Sequence, residues 1–134
     1  MKILYNIIYN IWYMLSLLPM RVHYVLSDIL FFIIFHILHY RRRTVWVNLV
    51  TSFPERPEEE LLEIERRFYH WFCDYLAETV KLMTISRKEL KKRMTFKNTE
   101  LIDKYVNEGR SCAVYLGHYC NWELVTSLPL WVSD

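Results

Sequence analysis

Only two glycines and three cysteines occur in the 134 residues, and neither Lys nor Arg is found after Arg110. The cysteines, Cys73, Cys112 and Cys120, are odd in number and form no C-x-x-C pair. This spacing suggests neither a disulfide framework nor a zinc site, and no metal or cofactor is expected. Free thiols fit a reducing compartment, which places the polar part of the chain in the cytosol. A formal net charge of +2 is too small to argue for nucleic acid, which would call for a basic groove with interleaved aromatics. The length allows one domain at most.

Apolar side chains, by contrast, are plentiful and unevenly placed. Hydrophobic residues make up 53% of the chain and aromatics 16%. Residues 1–40 carry Lys2, Arg21 and Asp28 as their only formal charges, whereas residues 41–110 hold most of the charge of both signs. Two regions are therefore expected: a membrane-anchoring segment over 1–40 and a polar domain over 41–134.

Ile3–Met20 has no formal charge. As a helix it would be roughly 27 Å long, close to a bilayer core of about 30 Å, and it predicts an N-terminal membrane helix. Tyr5, Tyr9, Trp12 and Tyr13 suit an interface. The absence of an A-x-A-like site argues against a cleaved signal peptide. Pro19 is placed to start a second helix. The stretch Val22–Tyr40 contains Asp28, a carboxylate costing about 2.5–3.5 kcal/mol near a membrane helix centre, so it is expected to lie on the bilayer surface or against the domain. His23, His36 and His39 read as interfacial polar tips.

Pro57 followed by Glu58, Glu59 and Glu60 reads as a helix start, because acids favour the positive end of the helix dipole. Leu61, Ile64, Phe68, Phe72, Tyr75, Leu76, Thr79 and Met83 recur at helical spacing and predict one long amphipathic helix with this face in the core. Ser86-Arg87-Lys88-Glu89 is a capping box that opens a new short helix. The following segment, with Arg87, Lys88, Lys91, Lys92, Arg93 and Lys97, reads either as a solvated face or as a surface for an acidic partner or anionic headgroups. Asn98 is expected to cap a third helix through Asn107, and Gly109 to end it.

Cys112–Leu116 is a short apolar run after a helix stop and predicts a buried strand. Gly117 and His118 follow at once, and Asn121 is placed to cap a helix beginning Trp122-Glu123. This puts His118 on a strand-to-helix turn with Glu123 in the first helical turn, at the strand end where open α/β sheets hold their ligands. A carboxylate on one ring nitrogen would fix the imidazole tautomer and leave the other nitrogen free as a base. With no evident Ser nucleophile, direct attack by a substrate hydroxyl is favoured over an acyl-enzyme. Cys120 as thiolate nucleophile is the rival reading, weakened because side chains two apart on a tight turn diverge.

Gly-His-Tyr-Cys-Asn-Trp-Glu at 117–123 resembles the HX4D/E motif of the bacterial lipid A late acyltransferases. Leu15-Ser16-Leu17-Leu18-Pro19 and Leu26-Ser27-Asp28 resemble that family's N-terminal segment. Tyr40-Arg41-Arg42-Arg43, Asn48-Leu49, Ser52-Phe53-Pro54-Glu55 and Glu78-Thr79-Val80-Lys81 also match, in the same order. The resemblance implies an α/β chain: an N-terminal membrane helix, then the first part of an αβα sandwich of the glycerolipid acyltransferase type. It implies transfer of a fatty acyl group, from acyl carrier protein or CoA, to a hydroxyl of a lipid A precursor or related lipid at the cytoplasmic face of the inner membrane. His118 would be the general base and Glu123 its orienting partner. Arg87, Lys88, Lys91, Lys92 and Arg93 would be the candidate carrier-protein surface. Cys120 departs from the family's usual Gly, so the turn must tolerate a side chain there. Family members continue past the dyad, and the chain is expected to be the front part of such a domain. A noncatalytic membrane-anchored helical protein is the alternative.

Overall fold

The computed structural model describes residues 2–132, which form two compact units meeting between Met83 and Thr84. The first unit contains α1 (Lys2–Leu17), α2 (Met20–Phe31) with a π-helical extension (Phe32–Ile37), α3 (Arg42–Ser52) and α4 (Glu58–Leu82). The second contains α5 (Arg87–Arg93), α6 (Glu100–Asn107) and a 3₁₀ helix (Trp122–Leu130).

No strand exists among the described residues, and this overturns the α/β expectation. Cys112–Leu116 is irregular and exposed throughout, with Tyr115 96% accessible. The apolar run has strand-like composition, but a strand exists only where a neighbour takes its backbone N–H and C=O groups. Here no neighbour does so, and the αβα sandwich is absent from these residues.

The candidate membrane span also falls elsewhere than expected. Pro19 separates the first two helices as expected, but α1 has 16 residues, roughly 24 Å, which is short of a bilayer core. Among the described residues, the helix long and apolar enough to cross a membrane is Met20–Ile37 instead. The π-helical turns come from wider bonds after Phe31, such as the Leu38 N–H to the Ile33 carbonyl at 2.8 Å.

In the first unit α4 is the spine. Its start follows the sequence, with Pro57 at the N-cap and three glutamates in the first turn. Its buried stripe, however, is Leu61, Glu65, Tyr69 and Cys73, an unbroken i, i+4 row. Of the face expected in the core, Phe68 is 38% exposed and Met83 40%. Tertiary contacts caused the rotation. Phe31 of α2 packs with Tyr69 and Cys73, joined by Leu30, Ile34, Phe35, Val45 and Phe72. Burial pushes the Cys73 thiol up to about 11, with Asp74 adding to the effect.

Glu65, in the middle of this stripe, is buried because Arg42 meets it with two donors, Nε at 3.2 Å and Nη2 at 2.6 Å. The Arg42 guanidinium is held above its ordinary value by these bonds, and it lies 4.5 Å over the Phe35 ring. The Tyr69 hydroxyl donates to the Tyr40 carbonyl. Further along α4, Ser27 donates to Asp74 at 2.6 Å and Tyr24 to Glu78 at 2.7 Å. Lys81 Nζ donates to the Ser16 and Leu18 carbonyls at 2.7 and 2.9 Å, satisfying the open C-terminal end of α1. His23 is buried, not an interfacial tip. Its Nδ1 donates to the Pro19 carbonyl at 3.2 Å, because a carbonyl can only accept.

Candidate active site

The second unit carries the motif. Ser86 caps α5 as its sequence predicts, accepting from the Glu89 N–H at 3.2 Å. The Glu89 carboxylate turns forward to Arg93, at 3.0 Å from Nη2. α6 starts one residue later than expected, with Thr99 at the N-cap and Asn98 at φ +60. It ends at Gly109 in a Schellman arrangement: the Arg110 N–H reaches the Tyr105 carbonyl and the Gly109 N–H the Val106 carbonyl, both at 2.9 Å. Gly109 takes φ +73, a conformation costly for any side-chain-bearing residue.

Residues 117–122 then form two successive three-residue turns. The Tyr119 N–H bonds the Gly117 carbonyl at 2.9 Å, and the Trp122 N–H bonds the Cys120 carbonyl at 3.0 Å. His118 is the central residue of the first turn and Asn121 of the second. Asn121, at φ −82 and ψ 75, sits in the inverse γ-turn well. Between them Cys120 adopts φ +51. This is the position where the motif that the sequence resembles has Gly, and the left-handed backbone is costly for the Cys side chain. Asn121 occupies the N-cap position of the next helix without a side-chain capping bond, and that helix is 3₁₀, not α.

His118 is exposed, and its ring meets the Trp122 ring edge-on with centroids 4.7 Å apart. Glu123 is partly buried in the first turn of the 3₁₀ helix. Among the described residues no hydrogen bond or ion pair joins His118 to Glu123. The turn brings the imidazole to Trp122. Cys120 is exposed too, so both of the reactive side chains weighed in the sequence are reachable from outside. Among the described residues no group of three or more His, Cys, Asp or Glu side chains is placed to hold a metal ion.

The basic residues of α5 differ in how far they are engaged. Arg93 is bound to Glu89, Lys92 lies 4.0 Å from the same carboxylate, and Lys91 Nζ lies 5.1 Å over the Trp131 ring. Arg87 and Lys88 stand exposed at the start of the helix. Phe96 also meets Trp131, which fixes the 3₁₀ helix against the α5 region.

A cleft in the first unit was not foreseen from the sequence. It has a volume of about 340 Å³ and is lined by the apolar side chains of Phe68, Tyr69, Phe72 and Val45 and by Arg41, Thr44 and Asn48. The displaced aromatic face of α4 supplies its apolar wall. A charge inside an i, i+4 apolar row, as at Glu65, was the signal in the sequence that could have located this face.

The family described as bacterial lipid A biosynthesis acyltransferase has a model that matches residues 2–128 of this chain. The match covers both units and the whole 117–123 turn. No curated protein and no solved structure matches the chain.

Proposed function

This chain belongs to the bacterial lipid A biosynthesis acyltransferase family, and we propose that it moves a fatty acyl group from a carrier-linked thioester to a lipid hydroxyl at the cytoplasmic face of the inner membrane. The observation carrying this reading is the family match extending through an exposed His118 on a tight turn, with Glu123 five residues on. A lipid hydroxyl is a poor nucleophile at neutral pH, so a positioned base is needed. An imidazole nitrogen of His118 takes the hydroxyl proton while the oxygen attacks the thioester carbonyl. The tetrahedral adduct collapses, the C–S bond breaks, and the imidazolium returns its proton to the departing thiolate. Glu123 stabilises the imidazolium once the His118 ring turns from Trp122 toward it, a rotation that an exposed side chain makes at little cost. The acceptor is a lipid A precursor or a related lipid, and acyl carrier protein is the donor favoured by the cations of α5.

Acyl transfer from a radiolabelled acyl-carrier thioester to membrane lipid, measured in the same membranes for each variant, tests this. His118→Ala should lower turnover by about 100- to 10,000-fold, the usual worth of a positioned base. Glu123→Gln should also cause a large loss, and the double variant should be little worse than His118→Ala, since residues acting as a unit are not additive. Cys120→Ser should keep substantial activity. Retained turnover in His118→Ala with complete loss in Cys120→Ser would install the cysteine as nucleophile. Lipid association with no turnover in the unaltered chain would leave the noncatalytic reading.

A further inference from the structure

Met20–Ile37 is long and apolar enough to cross a bilayer, but the first unit does not leave it free to do so. A row of polar links ties this stretch and its flanks to α4. Lys81 holds the Ser16 and Leu18 carbonyls, Glu78 accepts from Tyr24, and Asp74 accepts from Ser27. His70 Nε2 lies 3.6 Å from Asp28 Oδ1, Tyr69 reaches the Tyr40 carbonyl, and Glu65 binds Arg42. Positions rise along one helix as they fall along the other, so α2 and α4 run antiparallel over the whole apolar stretch. From Glu65 to Lys81 that is roughly 24 Å of α4.

If Met20–Ile37 stood across a bilayer, this part of α4 would stand in it as well. It would carry Asp74, Glu78 and Lys81 into hydrocarbon, together with Arg66 and Arg67, both exposed on its outer side. Charged side chains at the centre of a membrane helix are among the most costly to insert. Separating α2 from α4 instead would open the Phe31–Tyr69–Cys73 core.

We propose that Lys2–Ile37 is an in-plane anchor. α1 and the outer side of α2 sink into one leaflet, with their axes along the surface and α4 above them in water. The partner is a bilayer surface with anionic headgroups. Ile3, Ile7, Trp12, Val25, Ile29 and Phe32 are large, exposed and apolar, and supply the inserted side. Lys2, Arg21, Arg41 and Arg43 are exposed and have no acidic partner among the described residues, so their charges complement the headgroups. The inference stands apart from the His118 mechanism and does not depend on it.

Three of these cations give the test, because each topology sorts them differently. Lys2→Cys, Arg21→Cys and Arg43→Cys are made one at a time in a Cys112→Ser, Cys120→Ser background, where the remaining Cys73 is buried. Each is treated with a membrane-impermeant maleimide in spheroplasts and in inverted vesicles, with detergent-treated membranes as the labelling control. The in-plane anchor predicts that all three label from the same face. Lys2→Cys alone on the opposite face would mean that α1 spans, and Arg21→Cys alone there would mean a spanning hairpin. Lys2→Cys and Arg21→Cys together opposite Arg43→Cys would mean that Met20–Ile37 spans. Any of these three patterns overturns the proposal. So does an Arg21→Cys that labels only in detergent, because an in-plane hairpin keeps that side chain at the aqueous surface.

Discussion

Breaking the Arg42–Glu65 pair from either side should give unequal losses, because its two members are buried to different degrees. The Glu65 side chain is 2% exposed and that of Arg42 33%. Arg42→Met strands a carboxylate in the α4 stripe with no counter-charge and no route to water. An unpaired buried ion of this kind costs about 3–5 kcal/mol. For a chain of this size, where 1 kcal/mol moves the midpoint by roughly 3–5 °C, thermal unfolding should fall by roughly 10–20 °C. Glu65→Leu instead leaves a guanidinium that can turn to solvent, and an apolar side chain between Leu61 and Tyr69. Its cost should be about 1–2 kcal/mol, the loss of charged hydrogen bonds discounted for exposure. The double variant should recover to near the unaltered protein, since buried pairs replaced by apolar groups are often neutral. Circular dichroism melts in one detergent give the comparison. Equal losses in the two single variants would refute the reasoning that Glu65 is the stranded ion.

Three further outcomes follow from single positions. Cys120→Gly should stabilise the turn, because Cys120 is exposed at φ +51 and loses no packing; relief of a left-handed penalty of about 1–2 kcal/mol, less the added unfolded-state entropy, should leave the melting midpoint raised, not lowered. With its thiol pushed up to about 11, Cys73 should resist maleimide at pH 8, and mass spectrometry should count two modified thiols in the folded chain and three after denaturation. Reversing Arg87, Lys88 and Lys92 to Glu should raise the apparent Michaelis constant for a carrier-linked donor at low salt and matter less at high salt. An unchanged constant at low salt would return α5 to a plain solvated face.

The local punctuation of this chain was legible in its residues. Pro19, Pro57 with its three glutamates, Ser86 and Gly109 mark helix boundaries because each acts within four or five residues, through a missing N–H, the helix dipole, a side-chain cap or a left-handed backbone. The family was readable for the same reason, since it is a statement about sequence order. Three matters needed the tertiary structure. Which side of α4 is buried was decided by Phe31 and Arg42, which sit far away in the chain and turn the stripe onto Glu65, Tyr69 and Cys73. Whether Cys112–Leu116 becomes a strand depended on a neighbour to complete its hydrogen bonds, and an apolar run cannot specify its own partner. The direction of the His118 ring was set by rotation about single bonds, and in this fold it rests on Trp122. Sequence acts through neighbours along the chain, whereas burial, pairing and ring orientation depend on groups that only folding brings together.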